Sequence, residues 1–151
     1  MDDLEFWRII GLFNWNRAGD DDAVLKPAIK ELAKKSIEEI GAFEEILSQK
    51  LHALDTKAHA QNIGNESYID EKHPFSVDWF LYCRCCVVAN GPKLYARVVA
   101  QPAQFPKDME FEALLYIARA AYQLKTGQES DGFATTVSYE TFSNVSGWAA
   151  A

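Results

Sequence analysis

Apolar residues recur at intervals of three and four along most of this chain, and the interruptions fall at residues that cap or break helices. Phe6, Ile9, Ile10 and Phe13 keep helical spacing from the start, with Asp2, Asp3 and Glu5 suited to the positive end of a helix dipole. Gly19-Asp20-Asp21-Asp22 interrupts the rhythm. Pro27 is tolerated in a first helical turn, so a second helix is expected to begin near Ala23 to Lys26 and to run to Lys34. Ser36-Ile37-Glu38-Glu39 has the form of a capping box, in which Ser36 and Glu39 satisfy each other's backbone N–H. Behind it Ile37, Ile40, Phe43, Leu47, Leu51 and Leu54 form one stripe, the clearest amphipathic helix in the sequence. Asp55-Thr56 allows a break before a short helix toward Ile63.

The pattern then changes. Residues 64–74 are polar and turn-rich and read as a surface loop. Ser76 is placed to cap a helix bearing Trp79, Phe80, Cys83, Cys86 and Val87, apolar on nearly all sides and hence central. Asn90-Gly91-Pro92 ends it, a further helix spans Lys93 to Ala100, and Gln101-Pro102 stops that one. A last strong helix is expected from Met109 to Lys125, buried over more than half its circumference and closed by Gly127. Thr135 to Tyr139 is β-prone and predicts an extended segment or one short strand. Thr141 to Trp148, aromatic and serine-rich, is expected to pack rather than hang free. With no internal repeat and no domain boundary, the reading is a mainly α single domain over 1–151, an orthogonal bundle of about six helices with a short extended C-terminal segment.

Composition narrows the function classes. The chain has 151 residues, 48% of them hydrophobic and 13% aromatic, which excludes a disordered chain. No apolar run approaches the roughly 20 residues of a membrane helix, and the acidic N-terminus is unlike a signal peptide. Three cysteines, two adjacent, are not a disulfide framework, so a cytoplasmic location is expected. The net charge of −7 argues against nucleic acid and anionic membranes, because phosphate binding needs clustered Lys and Arg. It favours a basic protein partner.

Searches for chemistry find little. On a helix Cys83 and Cys86 share a face while Cys85 points away, and no second cluster completes a zinc site, so the three read as small core fillers. His52, Asp55 and His59 would stack on one continuous helix and could bind zinc or iron there, but the break at Asp55-Thr56 pulls them apart. There is no nucleophile elbow and no phosphate-binding glycine loop. Glu38-Glu39 and Glu44-Glu45 read as the solvated side of an amphipathic helix. No metal, cofactor or catalytic residue is assigned.

From Ser76 to Tyr95 the sequence resembles the bacterial family known as domain of unknown function 4240. Glu5-Phe6-Trp7 matches its opening, Phe43-Glu44 its second main helix, and Ser76, Asp78, Phe80, Tyr82, Arg84, Gly91 and Tyr95 its aromatic helix. Pro102, then Leu114, Leu115, Tyr116, Ala121, Tyr122, Thr126 and Gly127, complete the likeness over roughly residues 3 to 127. The chain departs from the family at Asn65 to Phe75, where a Trp-Asp-Leu-Trp-like stretch and a Cys-Ser-Asp-Asp turn are usual. The resemblance implies a helical fold and no mechanism. Small acidic proteins of this type are often immunity proteins beside secreted toxins. The leading expectation is therefore an immunity or antitoxin-like protein, not an enzyme, that covers a basic toxin domain with Asp20, Asp21, Asp22, Asp70 and Glu71. The alternative is a small-molecule or regulatory pocket formed by Asp78, Arg84 and Tyr95.

Overall fold

The structure is a computed structural model and describes residues 1–149. It is mainly α-helical: α1 (Asp3–Ile10), α2 (Asp21–Ala33), α3 (Ile37–Ala53), α4 (Lys57–Ala60), α5 (Val77–Ala89), α6 (Pro92–Ala100), α7 (Ile117–Thr126) and α8 (Val145–Trp148). Six of these have eight or more residues, as the periodicity implies, and among the described residues there is no strand. Short 3₁₀ turns occupy Trp15–Arg17, Pro102–Gln104 and Glu112–Tyr116. The backbone falls into two compact units, one of Met1–Leu47 with Ala113–Thr136, the other of Ser48–Glu112 with Val137–Ala151.

In the first unit α2 packs along α7, and Val24, Leu25, Ala28 and Leu32 of α2 and Ile117, Ala118 and Ala121 of α7 are all buried. The rings of Phe6 and Phe43 meet at 4.9 Å in the same core. The capping box forms as expected: Glu39 N–H donates to Ser36 Oγ and Ser36 N–H to Glu39 Oε2, both at 3.2 Å. Ile37 is the one member of the stripe left exposed. α2 starts earlier than Pro27 suggests, so the proline stands inside the helix. Asp20 caps that earlier start by accepting from Ala23 N–H at 3.1 Å, and Asp21 and Asp22 occupy the first turn. A good cap and two dipole-matched carboxylates outweigh the one missing backbone donor.

In the second unit α5 is central, with every residue from Phe80 to Ala89 buried except half-buried Tyr82. Ser76 Oγ caps it from Trp79 N–H. Gly91, at φ 100°, makes the turn between α5 and α6, and Pro92 opens α6 rather than only closing α5. All three cysteines are buried and free. Burial raises every one of these thiols, Cys83 to about 12.

The helix expected from Met109 is shorter than the apolar pattern predicts, and α7 begins only at Ile117. Asp108 has φ 57°, Phe111 N–H donates to the Tyr82 carbonyl, and Glu112 N–H donates to the Glu110 carboxylate. These contacts draw the backbone away from helical pairing. The β-prone stretch Thr135–Tyr139 forms no strand and bends at Thr136 and Val137. Its two ends are held by side chains: the Glu45 carboxylate accepts from Thr136 N–H and Oγ1, and His52 Nδ1–H donates to the Ser138 carbonyl.

Candidate functional site

The C-terminal segment is secured within the second unit by two buried, oppositely charged side chains. Asp55 follows the end of α3 and is fully buried. Its carboxylate accepts from Phe142 N–H at 3.2 Å, Asn144 N–H at 3.0 Å and Trp148 Nε1–H at 2.7 Å. Arg84, from the middle of α5, is equally buried. Its Nη1 donates to the Leu51 and Tyr139 carbonyls, each at 2.9 Å, and its Nη2 to Thr141 Oγ1 at 3.0 Å. The guanidinium also lies 4.6 Å from the Phe80 ring centroid. Burial lowers its pKa to about 10, with the Asp55 charge acting against that fall.

These contacts also close the C-terminal end of α3, whose last carbonyls lack intrahelical partners. Tyr95 OH donates to the Lys50 carbonyl, Arg84 to Leu51 and Asn144 Nδ2 to His52. A cation at this end also suits the helix dipole. Arg84 and Tyr95 therefore converge, on backbone carbonyls. Asp78 does not join them: it sits exposed in the first turn of α5.

The histidine pair is likewise committed to the fold. His59 Nε2–H donates to the Val98 carbonyl at 2.8 Å and Nδ1 accepts from Thr56 Oγ1 at 2.7 Å, an arrangement that fits the neutral ring. Burial lowers its pKa. With Thr56 capping α4, His52, Asp55 and His59 share no helix face, and among the described residues no group of His, Cys, Asp and Glu is placed to hold a metal ion.

Securing residues 138–148 completes a cleft of about 450 Å³. Its apolar lining is Tyr68 and Phe75 from the 61–76 loop and Phe142 and Trp148 from the C-terminal segment; Lys57, Asp70, Glu71 and His73 form the polar part. The rings brace one another edge to face. Tyr68 stands against Phe75 and Trp148 at 5.3 Å each, and Phe142 against Trp148 at 4.5 Å. Phe142 has φ 74°, a conformation unusual for an aromatic residue, and its side chain is 48% exposed. Asp70 Oδ1 accepts from Lys72 N–H, His73 N–H and His73 Nδ1–H, which lowers its pKa. Glu71 is exposed and makes no pair among the described residues. An adjoining hollow of about 390 Å³ shares Lys57, Tyr68, Asp70 and Glu71 and adds Ile69, which is 64% exposed.

The other acidic cluster lies in the first unit. Asp20, Asp21 and Asp22 are exposed, and Asp20 and Asp22 line an open groove with Arg17, Lys26 and Lys30. That groove is mixed in charge. A second acidic site there is Glu44, whose pairing with Glu45 predicts a place on the solvated side of α3. The structure buries it to 9% exposure, leaves Oε2 without a hydrogen bond, and raises its pKa to about 7, against a weaker opposing pull from Arg119.

Of the predicted partner-binding residues, Asp70 and Glu71 share the aromatic cleft, whereas Asp20 and Asp22 line the groove of the first unit and Asp21 is exposed beside them. The aromatic residues of the cleft were not picked out from sequence. The available signal was large rings in otherwise polar, turn-rich segments, Tyr68 and Phe75 in one and Phe142 and Trp148 in the other.

The fold is mainly helical, and its second unit carries an aromatic cleft. The chain belongs to a family described as a protein of unknown function (DUF4240), whose model matches residues 1–124. The matched stretch includes Asp55, Arg84, Tyr68 and Phe75 and stops short of Phe142 and Trp148. No curated protein and no solved structure matches the chain. No helix among the described residues is long and apolar enough to cross a membrane.

Proposed function

We propose that this chain is a non-enzymatic, cytoplasmic protein-binding domain of the immunity type. In this reading it neutralises a basic bacterial toxin domain by docking the cleft of Tyr68, Phe75, Phe142 and Trp148 against it, with Asp70 and Glu71 facing the partner. One observation carries the reading: exposed aromatic surface is held in a fixed shape beside carboxylates. Interface hot spots favour Tyr and Trp in a central patch, surrounded by polar groups that set orientation. Asp20, Asp21 and Asp22, with the net charge of −7, add long-range attraction for a basic partner.

The test is association with the product of the neighbouring reading frame, followed by stopped-flow mixing at low and high salt. The substitutions Asp70→Lys and Glu71→Lys together are expected to slow association by about tenfold or more at low salt and to flatten its salt dependence. Phe142→Ala is expected to speed dissociation. An association rate unaffected by the charge reversals together with a dissociation rate unaffected by Phe142→Ala would remove the cleft from the interface, and a neighbouring product that does not bind would remove the immunity reading.

A further inference from the structure

We infer that the aromatic cleft is a receptor for a single arginine side chain on the partner. This inference rests on the protein-binding reading and names the chemistry the cleft selects. Four rings line a space of about 450 Å³, which is room for one long side chain rather than for a folded segment. The carboxylates of Asp70 and Glu71 stand on the same lining. The face of an aromatic ring is electronegative and attracts a cation within about 6 Å of its centroid. A planar guanidinium can stack on such a face while its outer N–H groups fork onto a carboxylate, which an ammonium cannot do.

The charges around the cleft favour a cation at its Glu71 side. Lys57 and His73 on the lining and Lys72 in the adjoining hollow are the opposing groups, and His73 Nδ1 is already turned onto Asp70 in a hydrogen bond of 2.7 Å. Asp70 keeps its charge, because its hydrogen bonds from residues 72 and 73 lower its pKa. Glu71 has no partner among the described residues and is exposed, so it is available to a ligand. The stacking surface is ordered before any ligand arrives. Trp148 is fixed by its indole bond to Asp55, and Phe142 by its backbone bond to the same carboxylate. Preorganisation of this kind cuts the ordering cost of binding.

The probe is N-acetyl-arginine amide, titrated into the full chain and followed by the Trp148 indole N–H resonance and the Tyr68 and Phe142 ring resonances. Saturable shifts are expected. The neutral analogue N-acetyl-citrulline amide is expected to bind about tenfold more weakly, and so are the Phe142→Ala and Glu71→Gln proteins toward the arginine probe. Equal binding of the citrulline probe, or preferred binding of N-acetyl-glutamate amide at Lys57 and His73, would overturn the inference. If the arginine probe fails while a partner protein still binds and loses affinity on charge reversal at residues 70 and 71, only the arginine assignment fails. If the probe binds as expected and no protein partner engages the cleft, the protein-binding reading fails and the guanidinium site stands.

Discussion

Glu44 shows how far one side chain can depart from the look of its neighbourhood. It follows Ile40 by four residues and precedes Leu47 by three, so it lies within the apolar stripe of α3, on the face that folding buries. Beside Glu45 it resembles an ordinary pair of surface carboxylates, and Glu45 does remain accessible enough to receive Thr136. Burial favours the neutral form of Glu44 and places its pKa near 7, above the ordinary 4.5. The unfolded chain therefore releases this proton first as pH rises. The stability that comes with a neutral Glu44 is full below about pH 4.5, is lost between 4.5 and 7, and stays lost above that. Glu44→Gln should remove this dependence and raise stability at pH 8 by on the order of 2–3 kcal/mol. Urea melts of both proteins across pH 4 to 8 are the check, and parallel curves would show that Glu44 ionises normally. Arg84 is the opposite case: a cation buried with backbone carbonyls rather than a carboxylate, a pairing that spacing along α5 does not reveal.

At the level of elements, most of the helical order is written in local signals. Ser36 with Glu39, Ser76, and Gly127 at φ 72° mark helix ends where capping chemistry requires them. The exceptions have local causes as well. α2 begins ahead of Pro27 because Asp20 supplies a cap, and α7 is delayed because the backbone near Phe111 bonds elsewhere. The C-terminal segment is different, since nothing in its own sequence says what holds it. Asp55 is the principal tether, and Asp55→Asn replaces a carboxylate that receives three donors while removing the largest opposite charge acting on Arg84. A loss of about 3 kcal/mol is expected, since hydrogen bonds to buried charges each contribute about 1.5–3 kcal/mol. Hydrogen exchange should speed up at the Phe142 and Asn144 amides and the Trp148 indole well before it does in α5. Unchanged protection at those three groups would mean that the segment is held by its ring contacts instead.

For the whole molecule, composition and charge set the class of behaviour and the core sets its accessibility. Cys83, Cys85 and Cys86 lie in the centre of α5, free and buried, with thiols pushed toward the unreactive protonated form. In the native protein all three are expected to resist alkylation by iodoacetamide. Their modification rates should rise together with denaturant as the unit around α5 opens. Rapid labelling of one thiol in native buffer would place that cysteine outside the core. The sequence by itself determined the helical class, nearly every helix and its caps, the buried role of the cysteines and the family, because each follows from spacing or from residues close in the chain. It also singled out Asp70, Glu71 and Arg84. Only the tertiary structure decided that Asp70 and Glu71 border an aromatic cleft, that Arg84 and Asp55 clamp residues 138–148, and that Asp78 stands apart. Those outcomes depend on contacts between residues 33 to 93 positions apart, such as Leu51 with Arg84 and Asp55 with Trp148. Periodicity reports which face of a helix is buried; it carries no record of what that face will meet.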